Sequence, residues 1–122
     1  MDLAARAERE MTSRFPVADK RSRFLDGILF DSKKERDRYA ELKLLDRAGE
    51  ISALGVHPRF LVDINGKRFC VYTPDFYYWD KRTKEIVYEE VKSTGTRKDA
   101  AYRLRRKAAE LFYDIKVTEV IR

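Results

Sequence analysis

The stretch TPDFYYWDKRTKEIVYEEVK, Thr73 to Lys92, decides how this chain is read. Thr73 to Trp79 is aromatic-rich and suits a strand, Asp80-Lys81-Arg82-Thr83-Lys84 suits a turn, and Glu85 to Lys92 returns as a second strand. Side chains along a strand alternate between faces. Glu90 and Lys92 therefore share one face, about 7 Å apart along the chain, while Val91 points the other way, into the core. Pairing the two strands through the turn brings Asp75 opposite Glu90 or one position away. Two carboxylates meeting at a sheet edge repel each other, and a divalent cation removes that repulsion. The plain alternative is a surface acid beside an ordinary Glu-x-Lys pair, because short motifs recur by chance. Pro74 tips the balance towards a site: a proline opening a strand gives up little hydrogen bonding and fixes how the next residue, Asp75, is presented. Glu89 alternates with Val87 and Val91, so it belongs on the opposite face from Glu90.

Outward from this stretch, Arg59 to Ile64 and Lys67 to Tyr72 are strand-like runs joined by Asn65-Gly66, the strongest hairpin signal in the chain. Phe24 to Phe30 reads as a small hairpin turning at Asp26-Gly27. The pattern predicts a helix from about Ser32 to Ala48, with Tyr39, Leu42 and Leu45 as its apolar stripe and Gly49 as its stop. Ser93-Thr94-Gly95-Thr96 is a loop. From Asp99 to about Tyr113, Ala101, Leu104, Ala108, Leu111 and Phe112 recur at helical spacing, and Ile115 to Val120 forms a last strand. The order is helix, three to four mostly antiparallel strands, helix, strand, which makes a mixed α/β sandwich. Residues 1–21 form a basic arm and 22–122 the domain.

Glu35 lies four residues before Tyr39 and seven before Leu42, on the inward stripe of the first helix. It reads in two ways. It is a third acid for a metal site, or it closes a capping box with Ser32. His57, the chain's one histidine, stands before Pro58 and reads as a residue that caps or fills a gap. Cys70, the one cysteine, sits in an apolar strand and reads as a small core residue, which excludes cysteine-rich zinc sites and an internal disulfide.

At 122 residues the chain fits one domain, and its net charge of +6 suits a polyanionic partner. The cations Arg97, Lys98, Arg103, Arg105, Arg106 and Lys107 crowd one segment, with Asp99 and Glu110 the nearby acids. With Lys33 they are the candidate DNA-binding residues, and Tyr102 among them adds an aromatic surface; a solvated helix face explains the same residues. No stretch is long and apolar enough for a membrane span or a signal peptide, so the expectation is a cytoplasmic protein with no membrane partner.

Pro74-Asp75 followed by Glu90-Val91-Lys92 resembles the PD-(D/E)xK nuclease superfamily, whose core order is the one read above. The segment Leu29-Phe30-Asp31-Ser32-Lys33-Lys34-Glu35 looks like the first-helix signature of a small, mostly phage and prophage branch of it. Ala48-Gly49-Glu50-Ile51 and Pro58-Arg59-Phe60 fit that branch as well, and the likeness covers roughly residues 22–121. The resemblance implies a restriction-endonuclease-like core and hydrolysis of DNA phosphodiesters with Mg²⁺ or Mn²⁺. Asp75 and Glu90 would bind metal with the Val91 backbone carbonyl, Lys92 would serve the attacking water, and Glu35 matches the acid that many members supply from the first helix. Members include Holliday-junction resolvases, restriction enzymes, repair nucleases and a transposase subunit. Small members without a recognition domain are often dimers that select DNA structure. The expectation is thus a homodimeric endonuclease for branched or junction DNA. A nuclease subunit of a larger transposition or restriction machine and a non-catalytic DNA-binding module on the same fold are the alternatives.

Overall fold

The aromatic and acidic runs of Thr73–Lys92 form neighbouring strands of a four-stranded sheet in the computed structural model, which describes residues 19–93 and 99–122. The protein is mixed α/β. Its residues fall into two compact units, one ending at Asp37 and one running Arg38–Arg122.

In the first unit Asp19 caps a short 3-10 helix, Lys20–Arg23, by accepting from the Arg21 N–H at 3.2 Å. Strands β1 (Phe24–Leu25) and β2 (Ile28–Leu29) pair antiparallel. Asp26 and Gly27 both take positive φ, 53° and 75°, as a two-residue turn matched to strand twist requires. Helix α1, Lys33–Arg47, starts here. Ser32 Oγ accepts from the Glu35 N–H at 3.1 Å, which is the cap half of the anticipated box. Glu35 is itself buried.

In the second unit α1 continues to Arg47, and Gly49 beyond it takes a φ of 80° that lets the Gly49 and Glu50 N–H groups turn back to Asp46 and Leu45, both at 3.0 Å. The next residues correct the sequence reading. Ile51–Val56 is a strand, β3, and it pairs with the aromatic strand. Ser52-Ala53-Leu54-Gly55 has weak strand propensity, and a bulge at Ala53 (φ 55°) breaks its alternation, so pattern alone does not reveal it. Gly55 lies opposite Tyr77, whose ring occupies the space where a Cβ would stand.

A second correction concerns the Asn65-Gly66 hairpin. Strands β4 (Phe60–Ile64) and β5 (Lys67–Tyr72) pair with each other as a separate two-stranded ribbon. The main sheet has the order β3-β6-β7-β8, with β6 at Phe76–Asp80, β7 at Glu85–Lys92 and β8 at Val117–Ile121. The pairs β3–β6 and β6–β7 are antiparallel, while β7 and β8 run parallel. A parallel neighbour needs a crossover, and helix α2, Ala100–Tyr113, lies between them in sequence. Asp99 caps α2 by accepting from the Ala101 N–H at 3.0 Å. Asp80 holds the β6–β7 turn, with its Oδ1 accepting from the Arg82 N–H at 2.9 Å.

The sheet buries both faces. On one, Tyr39 of α1 stacks on Phe76, with ring centroids 6.1 Å apart. On the other, Val62, Tyr72, Ala109 and Val117 form a core joined by Phe60, Cys70, Tyr88, Tyr102 and Ala108. Cys70 is thus a core-packing thiol, as anticipated. The first face also buries a charge. Glu89 is 1% exposed and takes a two-pronged ion pair from Arg38, at 2.8 Å to Nε and 2.7 Å to Nη2, plus a hydrogen bond from the Tyr78 hydroxyl.

Removing one partner of such a pair strands the other charge. Arg38→Met should lower unfolding free energy by about 3–5 kcal/mol, while Arg38→Met with Glu89→Leu should regain most of that loss. Urea denaturation of the two variants beside wild type checks this; equal losses in both would show that the pair is not the cause.

Candidate active site

Strand pairing and a proline fix Asp75. Pro74 is buried immediately before it, the Asp75 N–H donates to the Glu89 carbonyl at 2.9 Å, and the Asp75 carbonyl accepts from the His57 N–H at 3.0 Å. The ladder thus extends past the formal start of β6 on both sides. The carboxylate is held as well: Asp75 Oδ2 accepts from the Val91 N–H at 2.7 Å. A side chain gripped by the backbone of the strand that carries Glu90 cannot drift away from it.

Glu90 and Lys92 share a face of β7. Glu90 is only 7% exposed, and the Tyr72 hydroxyl of the ribbon donates to its Oε1 at 3.4 Å. Lys92 places its Nζ 3.6 Å from the ring centroid of Tyr102, a residue of α2. That contact is a cation–π seat, and it fixes the ammonium beside the acids. Glu89 faces away, towards Arg38, as alternation requires.

The electrostatics show a charge imbalance. Burial, followed by hydrogen bonding with and repulsion from Asp75, pushes the Glu90 carboxyl up to about 8, against the pull of Lys92 and Tyr72. Burial and the Glu90 charge also push the Tyr72 phenol up, and burial with the Glu90 and Glu119 charges pushes Tyr102 up to about 12. Two convergent carboxylates and one ammonium thus form a cluster that gains from a further positive charge, either a proton or a metal ion. Carboxylate oxygens beside an imidazole are a donor set that suits a small divalent cation.

The other predicted residues lie as follows. Lys33 is exposed on the first unit, and Glu35 belongs to that unit's helical turn. Arg103, Arg105 and Lys107 are exposed along α2. Arg106 instead pairs with Glu119, and its Nε lies 3.8 Å from Glu110. Tyr102 turns inward onto Lys92 and does not join the exposed cations. Arg97 and Lys98 lie outside the described residues.

His57 is the residue that sequence reasoning passed over. One of its ring nitrogens and an Asp75 carboxylate oxygen lie within 4.8 Å of each other. The signal was absent from the sequence because it depends on β3, whose last residue, Val56, pairs with Phe76 and delivers His57 next to Asp75.

A family model described as "Protein of unknown function (DUF1064)" matches residues 18–122. The chain belongs to this family. The match takes in Asp75, Glu90 and Lys92 together with helices α1 and α2. No curated protein and no solved structure matches it. Among the described residues no helix is long and apolar enough to cross a membrane.

The raised Glu90 makes stability depend on pH. A folded-state carboxyl held above its unfolded value contributes stability that is fully present below the ordinary glutamate range and is lost as pH rises through about 8. In EDTA the melting temperature should therefore fall from pH 5 to pH 9, and Glu90→Gln should flatten that fall. Thermal melts across this range check it; equal slopes for the two proteins would remove Glu90 as the cause.

Proposed function

We propose that this protein is a PD-(D/E)xK-type endodeoxyribonuclease that uses Mg²⁺ or Mn²⁺ and selects branched DNA such as a Holliday junction. The observation that carries the reading is the convergence of Asp75, Glu90 and Lys92 on adjoining strands, with the Val91 N–H gripping Asp75 and burial raising Glu90. Lys92 offsets part of the cost of bringing the two acids together, and its seat on the Tyr102 ring holds the ammonium beside them. The sheet order, with an antiparallel β6–β7 pair and a parallel β8 reached through α2, supports a restriction-endonuclease-like core.

In this reading Asp75 and Glu90 hold the ion with the Val91 carbonyl. When bound, a divalent ion lowers the pKa of a water and polarises a phosphoryl oxygen. Lys92 orients the attacking water and offsets negative charge growing on the scissile phosphate. Tyr102 keeps its ammonium in place for that task. Glu35 enters the proposal on the helical pattern alone. The exposed cations Arg103, Arg105 and Lys107, with Lys33, Arg97 and Lys98, track phosphates; Arg106, committed to Glu119, contributes indirectly.

A homodimer is part of the proposal, because junction cleavage needs two sites for two strands. Leu104 and Leu111, seven residues apart on α2, are 57% and 72% exposed and offer an apolar stripe for assembly. The same stripe suits the role of a subunit in a larger nuclease machine. That second reading expects little cleavage by the isolated chain.

Incubating labelled four-way junction, flap and linear duplex with the protein in Mg²⁺ or EDTA tests the function. Metal-dependent cutting with a preference for the junction is expected, and Asp75→Asn or Lys92→Met should slow it by about 10²–10³-fold. Survival of all three substrates in Mg²⁺ would overturn the catalytic reading for the isolated chain. Preference for linear duplex would remove the junction alone.

A further inference from the structure

The chain holds one histidine, and the fold sets it against the candidate metal-binding acid. We propose that His57 supplies an imidazole nitrogen to the ion held by Asp75, so that the site is selective for Mn²⁺ over Mg²⁺. The inference rests on the metal-site reading above and adds a ligand to it that the acid-acid-lysine pattern does not contain.

Three observations lead there. Val56 pairs with Phe76 at the end of β3, and the His57 N–H then donates to the Asp75 carbonyl at 3.0 Å, so the two residues are locked side by side. At that point the chain leaves the strand: His57 has a φ of 51°. A left-handed residue at a strand end re-aims its side chain away from plain alternation. The result is a ring nitrogen within 4.8 Å of an Asp75 carboxylate oxygen. Donors sharing one small divalent ion at roughly 2.1 Å lie about 3–4 Å apart, so a small rotamer adjustment suffices.

The donor chemistry then sets the metal. Mg²⁺ keeps oxygen ligands and several waters in a near-ideal octahedron, whereas Mn²⁺ shares the carboxylate preference and, as a first-row transition ion, is the softer partner for a nitrogen donor. The Val91 N–H donating to Asp75 Oδ2 holds that carboxylate in place beside the ring. Charge points the same way, because a neutral imidazole adds a donor without adding to the repulsion between Asp75 and Glu90.

Because His57 has no counterpart elsewhere in the chain, the test is spectroscopic. Mn²⁺ is added to untagged, full-length protein, and electron spin-echo modulation reports any nitrogen bound directly to the ion. A directly bound imidazole nitrogen is expected in wild type and absent in His57→Gly, a variant that tolerates the left-handed backbone. Titration should show Mn²⁺ affinity falling roughly tenfold or more in that variant, with a smaller change for Mg²⁺. Mn²⁺ that binds in an Asp75-dependent way without nitrogen coupling would overturn the role of His57 and leave the metal site standing. Mn²⁺ binding unchanged by Asp75→Asn would overturn the metal site and this inference together.

Discussion

Two consecutive carboxylates, Glu89 and Glu90, are buried on opposite faces of one strand, and the rest of the structure answers that constraint. A buried carboxylate needs a partner or a proton. On one face the answer is internal, with Arg38 and Tyr78 surrounding Glu89. On the other face the answer is incomplete. Asp75 adds a second negative group near Glu90, and Lys92 with Tyr72 offsets only part of the cost. The same strand therefore carries a satisfied charge that fastens the sheet to α1 and an unsatisfied one that invites a cation. Structure and site differ here by which side of β7 a glutamate faces.

Much of this was legible in the sequence because the relevant signals are local. Alternation assigned Glu90 and Lys92 to one face and Glu89 to the other, and the side-chain partners agree. Asn65-Gly66 and Asp26-Gly27 announce turns whose positive φ values few residues accept. The helices follow from their stripes and from Gly49 and Asp99 at their ends. What stayed hidden depends on contacts distant in sequence. Strand β3 has a composition that does not favour a strand, and its pairing with β6 is what makes it one. The Asn65-Gly66 hairpin looks like part of any sheet until the main sheet is seen to be filled without it.

The site shows the same division. Asp75, Glu90 and Lys92 can be read from two short motifs and a turn. The Val91 N–H that grips Asp75 cannot, because it is a backbone group recruited across strands. Tyr102 was read with the basic residues beside it in sequence, but helix geometry turns it inward under Lys92. His57 looks like a gap-filler in the sequence because its neighbour in space arrives through β3, which the pattern does not reveal. Family membership adds the extent of the matched unit, residues 18–122, and leaves the chemistry to be argued from the side chains.

The seat of Lys92 on Tyr102 has a mechanical meaning. Its ammonium rests on a ring carried by α2, not on its own strand, so its position is set jointly by two elements. The exposed cations of α2 lie on that same helix. One aromatic ring thus ties the helix that carries those cations to the ammonium beside Glu90. The exposed cations and the buried acids are therefore joined by a link a single side chain long.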